Sequence, residues 1–196
     1  PKVQVQKQLV EQKGGTRDCR LLAVVYSYPD RRGKFCRDPN DADRRAVALA
    51  SGAASDYQHE GIRLSLSSRL PVRSAHRAVG SQLPLYGLEE YENMYLPRQR
   101  LALASLARAI DSIPLPESEL GTVIRDLMGI CLAKQADYST SLCRWRHDGA
   151  YINPTLGGEK KYVMVSDFAE SCPLSHGSGN WLGQVDWVAR VLEREA

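Results

Sequence analysis

The sequence predicts a mixed α/β fold in which short strands pack with helices. Apolar runs rich in β-branched and aromatic residues, such as "CRLLAVVYSY" at 19–28, read as strands. Stretches such as "YLPRQRLALASLARAI" at 95–110 repeat apolar residues at three-and-four spacing, which is the signature of a helix with one buried face. The two signals are mixed along all 196 residues, with no internal repeat and no low-complexity tract.

Taken in chain order, residues 1–16 are polar and end in Gly14-Gly15, which predicts a frayed, flexible start. The run at 19–28 is closed by Pro29-Asp30 and reads as a buried strand. "DRRGKFCRDPN" at 30–40 then reads as a basic turn region, after which Asn40 or Asp41 can cap a helix, "DADRRAVALASGAA", that stops near Gly52. In "GIRLSLSS" at 61–68, Ile62, Leu64 and Leu66 alternate with polar residues, which predicts a half-exposed strand. Residues 71–95, punctuated by Pro71, Gly80, Pro84 and Gly87, form an irregular stretch.

Pro97 suits the first turn of the next helix, whose apolar face runs through Leu96, Leu103, Leu106, Ala107 and Ile110 and leaves Arg100 and Arg108 outside it. Pro114 and Pro116 break the chain and mark a possible hinge at 114–116 within a single segment spanning 1–196. A second helix carries Leu120, Val123, Ile124, Leu127, Met128 and Cys131 on one face. "EKKYVMVSDF" predicts a buried strand from Tyr162 to Val165, and a last helix lines up Trp181, Val185, Val188 and Leu192.

A hydrophobic share of 43% and a charged share of 25% are ordinary for a globular protein. No run of about eighteen apolar residues is present, so no membrane span is expected. The chain opens on Pro1, with no basic-then-apolar leader, which suggests a processed product or an excised segment. Five cysteines stand at 19, 36, 131, 143 and 172, odd in number and without a C-x-x-C pair. Reduced thiols in a cytoplasmic protein are expected, with neither a disulfide framework nor a bound metal. Arginine makes up 19 of the 26 basic residues, in groups such as Arg31, Arg32, Lys34 and Arg37. Arginine's planar fork suits phosphate, and a solvated surface accounts for these groups as well.

Several stretches gather reactive residue types. Cys143 with His147, or Cys172 with His176, could form a thiol–imidazole pair, but residues four apart meet only on a helix and Pro173 interrupts one. "HGSGN" at 176–180 could seat a phosphate at a helix start or merely cap that helix; no Walker or G-x-G-x-x-G pattern is present. In "ADYSTSLCRW" at 136–145, Tyr138 or Trp145 could stack a base and Arg144 hold a phosphate, or the stretch could be a packed helix end.

Three stretches together resemble one family. "YENMYLPRQRLALASLARAI" is similar to a segment around an F-T-P-R-Q-L helix start. "LAKQADYSTSLCRWRHDG" is similar to a helix running into L-A-D-Y-N-S-S-L-C-x-W. "MVSDFAESCPLSHGSGNWLGQVDWVARVLE" is similar to P-M-V-W-D-F-A-E-x-N-P-F-S followed by a serine, glycine and asparagine turn. In this order and approximate spacing they resemble the large adenine-specific DNA methyltransferases of bacteria and archaea, often found near phage-defence genes. The likeness covers most of residues 20–194, with "CRLLAVVYSYPDRRGKFCRDPNDAD" a looser fit to the part after that family's zinc-ribbon insertion.

The resemblance implies part of a larger methyltransferase-type α/β fold, working in restriction-modification or phage defence. Its chemistry is methyl transfer from S-adenosylmethionine to the exocyclic amine of an adenine flipped out of DNA. This chain lacks the family's D-P-F-x-G-x-G cofactor segment and its D-P-P-Y tetrapeptide; "RDPN" at 37–40 and "INPT" at 152–155 lack the second proline and the aromatic. The expectation is therefore a central segment, inactive alone, with no cofactor of its own and no catalytic residue in this chain. Its partners would be DNA and the rest of the enzyme, in the same chain or another subunit. The residues the resemblance singles out for DNA contact or support are Arg98, Gln99, Ser141, Cys143, Arg144, Trp145, Asp167, Glu170, Asn180 and Trp181, with Asp167 and Glu170 at a strand end. Two alternatives are a non-catalytic nucleic-acid-binding or protein-interaction module and, behind it, a thiol hydrolase using Cys143 or Cys172.

Overall fold

The computed structural model describes residues 2–59, 68–70, 82–157 and 162–195. The chain is mixed α/β: five helices accompany two small antiparallel sheets among the described residues. The first sheet is the hairpin β1 (Val24–Tyr28) with β2 (Arg31–Arg37), and the second pairs β3 (Arg144–Arg146) with β4 (Tyr151–Asn153).

The polar start is helical rather than frayed, forming α1 (Lys2–Glu11). Its end turns through Lys13, Gly14 and Gly15, all at positive φ, and the Gly14 amide reaches back to the Leu9 carbonyl at 2.8 Å. Gly14 lies against the fully buried Leu88 side chain, where a Cβ would come within 2.7 Å of it. Gly87, at φ 88, lies against the Val10 backbone with similar closeness. These two glycines let the helix dock on the turn at Leu83–Tyr86, a contact that local sequence polarity does not reveal.

β1 forms where the β-branched run predicts, but it is largely exposed and not buried. Among the described residues its sheet partner is β2 alone, which occupies the basic stretch expected to be a turn. The rings of Tyr26, Tyr28 and Phe35 cluster across the hairpin with centroids 5.3–5.9 Å apart. The half-exposed strand expected at 61–67 and the irregular stretch at 71–81 lie outside the described residues.

α2 (Asp41–His59) starts as expected and continues past Gly52. Asn40 is its cap: the Asn40 Oδ1 accepts from the Asp43 amide at 3.0 Å, and the Asp43 Oδ2 accepts from the Asn40 amide at 2.8 Å. The Arg37 guanidinium grips the same carboxylate with both forks, at 2.5 and 2.9 Å, and so joins the hairpin to the helix.

α3 (Pro97–Asp111) keeps its predicted face, with Leu103 and Ile110 buried. The proline link follows, and Ser118 caps α4 (Glu119–Tyr138) through the Gly121 amide. On α4 the expected apolar face is buried toward its C-terminal end, with Cys131 buried and Ile124, Leu127 and Met128 half-buried, but Leu120 is 64% exposed and Val123 45%. Two residues outside that face, Gly121 and Gln135, are buried as well. α4 lies between α3 and α5 (Trp181–Glu195); the Cys131 thiol meets the Gln184 carbonyl of α5, Gln135 reaches the Gly179 carbonyl, and Gly121 lies against the Pro116 carbonyl. Tyr162 to Val165 forms no strand. Tyr162 and Met164 instead pack as irregular chain against the core of Leu70, Leu83, Leu88, Met94 and Leu142.

The Arg37 fork, then the Asn40 amide, hold the Asp43 carboxyl down at about 2, below its ordinary 3.8. A depressed folded value stabilises the protein above about pH 4 and the effect is lost as pH falls through about 2. Asp43→Asn is therefore expected to lower the melting temperature at pH 6 and to have lost most of that effect at pH 2. Thermal unfolding at both pH values checks this; an offset of the same size at both would refute the linkage.

Candidate functional site

The centre of the molecule is a run of five consecutive buried residues, Ser139, Thr140, Ser141, Leu142 and Cys143, where α4 ends and no strand has yet begun. Backbone polar groups in such a run lack helix or sheet partners and must find others. The Ser141 amide donates to the Met94 carbonyl at 2.7 Å, and the Leu142 amide to the Thr140 Oγ1 at 2.9 Å. The Cys143 carbonyl accepts from the Ala169 amide at 2.9 Å. Side chains complete the knot. Thr140 and Thr155 hydroxyls meet at 2.6 Å, the Thr155 hydroxyl donates to the Asp137 carbonyl at 2.9 Å, and the Ser171 hydroxyl donates to the Tyr138 carbonyl at 3.0 Å. The Gln135 Nε2 donates to the Ser139 hydroxyl and to the Gly179 carbonyl, bringing in the turn before α5.

Beside this knot, Arg98 and Glu170 form a long-range ion pair. The Arg98 Nε donates to both carboxylate oxygens at 2.9 and 3.1 Å, and the Nη2 donates to Oε2 at 2.6 Å. Their side chains are 14% and 28% exposed, so the pair is partly shielded from water. Burial works against the guanidinium charge, but Glu170 outweighs it and the Arg98 pKa is raised; the Cys19 thiol also stands beside this guanidinium. Next to it, Gln99 is buried, its Oε1 accepting from the Leu96 amide at 2.8 Å while its Nε2 has no partner among the described residues. This is the reach-back half of a capping box and orients the start of α3.

The singled-out residues therefore divide. Arg98 and Glu170 touch directly, and Ser141 and Cys143 are tied by backbone bonds to the segments that carry those two. Asn180 caps α5, its Oδ1 accepting from the Gly183 amide at 2.8 Å, and the Trp181 amide donates to the Pro173 carbonyl at 2.8 Å. Trp145 lies on β3, where the Lys34 ammonium sits 5.5 Å over its ring and bonds the Ala150 carbonyl. Arg144, on the same strand, is half-buried. Asp167 is exposed, and because residues 162–166 before it are not in a strand, Asp167 and Glu170 do not directly follow a strand end. The polar residues that hold the centre, Gln135, Thr140 and Thr155, were not singled out from the sequence. The i,i+4 spacing of Gln135 and Ser139 at the helix end was the available signal.

The cysteine chemistry is structural. Cys143 is fully buried, and burial pushes its thiol pKa up despite bonds from Thr140 and Thr155. His147 is exposed, as are Cys172 and His176, and no group of histidine, cysteine and carboxylate side chains suited to a metal ion is found among the described residues. All five cysteines are free thiols.

No family model, no curated protein and no solved structure matches this chain.

Arg98→Ala would leave Glu170 partly buried and unpaired, at a cost placed between that of a surface pair and that of a buried one, about 2 kcal/mol. Urea denaturation is the measurement. Separately, native protein treated with iodoacetamide is expected to be modified at Cys36 and Cys172 but not at Cys143, as read by peptide mass. Rapid labelling of Cys143 would contradict its placement in the knot.

Proposed function

We propose that this chain is a central, supporting segment of an S-adenosylmethionine-dependent DNA adenine-N6 methyltransferase, and that it does not catalyse methyl transfer by itself. What supports the reading is the convergence of the three resembling stretches on one knot. Arg98 of the first grips Glu170 of the third, while the buried run of the second bonds the backbone of both neighbourhoods. In this reading the segment is a wall that positions a catalytic loop. Arg98 is a positioning residue, because its guanidinium is committed to Glu170.

The residues gathered here do not fit the cofactor. The buried hydroxyls, amides and thiol around Cys143 bond to one another and so form packing in place of a cradle, and the chain carries no D-P-F-x-G-x-G segment. No step of the transfer is assigned to these side chains. Five free thiols fit a reducing, cytoplasmic compartment, and no helix among the described residues is long and apolar enough to cross a membrane. A second reading, a nucleic-acid-binding module without chemistry, is favoured by one feature: the exposed arginines and rings of the β1–β2 hairpin.

The test has two parts. Calorimetric titration of the chain alone with S-adenosylmethionine is expected to show no binding, and micromolar affinity would overturn the placement. The whole gene product that contains this chain is expected to transfer labelled methyl groups to adenine in DNA. DNA that stays unlabelled would rule the reading out.

A further inference from the structure

We infer that the β1–β2 hairpin and the cleft at its base form a docking track for an unpaired nucleic-acid strand. The inference deepens the reading above and rests on it only for the class of partner; the site itself stands on the hairpin's own chemistry.

Charge is the first observation. Residues 17–45 carry eight cations against five carboxylates, which is the entire net charge of +3 of the chain. Of these cations Arg37 is committed to Asp43 and Lys34 to the Ala150 carbonyl, and Arg44 spends one guanidinium donor on the Pro39 carbonyl at 3.2 Å, leaving its other donors for a ligand. Arg31 and Arg32 on β2 are exposed and form no ion pair among the described residues. At the base of the hairpin, Arg20, Leu21, Leu22, Asp38, Pro39, Arg44 and Val47 line an open cleft of about 530 Å³. Its two exposed arginines outnumber its one carboxylate, so it suits a phosphate.

Shape is the second. Tyr26, Tyr28, Arg31 and Phe35 share one face, with the Arg31 guanidinium 5.6 Å from the Tyr28 centroid and 5.4 Å from that of Phe35. Tyr28 is 42% exposed. Gly33 adds no side chain to the strand, and a Cβ there would meet nothing within 4 Å. The outcome is a shelf whose solvent-exposed members are Tyr28 and Arg31, backed by the half-buried rings of Tyr26 and Phe35. Bases in a duplex have their faces stacked on each other, so such a shelf suits unpaired bases, whatever their sequence. A strand of five residues spans about 17 Å, the reach of two to four nucleotides, so bases on the shelf and a phosphate in the cleft are compatible with one strand.

The test is fluorescence anisotropy of the full chain with a labelled twelve-nucleotide strand, as DNA and as RNA, and with the matching duplex. Tighter binding of either unpaired strand than of the duplex, weakening with salt, is expected. Tyr28→Ala and Arg31→Ala should each weaken it about tenfold, and Tyr28→Trp should preserve it. Because hairpin variants could unfold, each is checked by circular dichroism, and the double variant Arg20→Ala, Arg44→Ala, outside the ring cluster, should also weaken binding. Equal affinity for duplex and unpaired strand, no binding, or variants that bind like wild type would each overturn the inference. Methylation by the whole gene product with insensitive hairpin variants would remove this site and leave the methyltransferase reading intact. Strand binding through the hairpin without methylation would do the reverse.

Discussion

The structure depends on satisfying a buried segment that has no regular secondary structure. Ser139 to Cys143 lie away from water, and apart from the bonds Thr140 makes within the run their partners must come from elsewhere in the chain. The partners come from the turn before α3, from the end of α4, from Thr155 just beyond β4, and from the loops before α5. An unmade hydrogen bond in such a place costs about 1–3 kcal/mol, so the cluster holds these segments in register with one another. The helices provide the frame, but the hydroxyls decide how the loops are seated in it.

Two arginine forks show how position changes the worth of the same chemistry. Arg37 and Asp43 are six residues apart and exposed, and their pairing serves a local end: it completes the cap of α2 and aligns the hairpin with it. Arg98 and Glu170 are 72 residues apart and partly buried, so their pair closes a long loop and resists screening by salt. The first is a matter of local geometry, whereas the second fixes tertiary arrangement. That difference is why Arg98 and Glu170 carry the functional reading and Arg37 does not.

Elements whose signals are local were legible in the sequence. Pro97 and the spacing of Leu103 and Ile110 predicted α3, Asn40 predicted the start of α2, and Asn180 the turn into α5. Burial was much less legible, because it depends on what lies opposite. Val24 to Tyr28 looked like a buried strand, yet its partner is a basic strand hidden in a stretch that reads as a turn. Leu120 and Val123 looked like core as Cys131 did, yet only the Cys131 end of that face is buried, and the polar Gln135 is buried beside it. Of the candidate site, the resemblance drew attention to Arg98, Glu170 and the buried Ser141 and Cys143. Thr155 and Gln135 escaped notice since nothing in the identity of a threonine or glutamine states that its partner is distant.

The hairpin and the knot are mechanically connected. A two-stranded hairpin alone in water is marginally stable, so this one needs support beyond its own hydrogen bonds. Arg37 supplies it at the base through α2. Lys34 supplies it at the side, by covering Trp145 and bonding the Ala150 carbonyl of the β3–β4 turn. Trp145 is two residues beyond Cys143, the last member of the buried run. The hairpin and the strand leaving the knot are thus joined by one side chain, Lys34, with no helix between them. A marginal element gains its support here from the segment on which the loops converge.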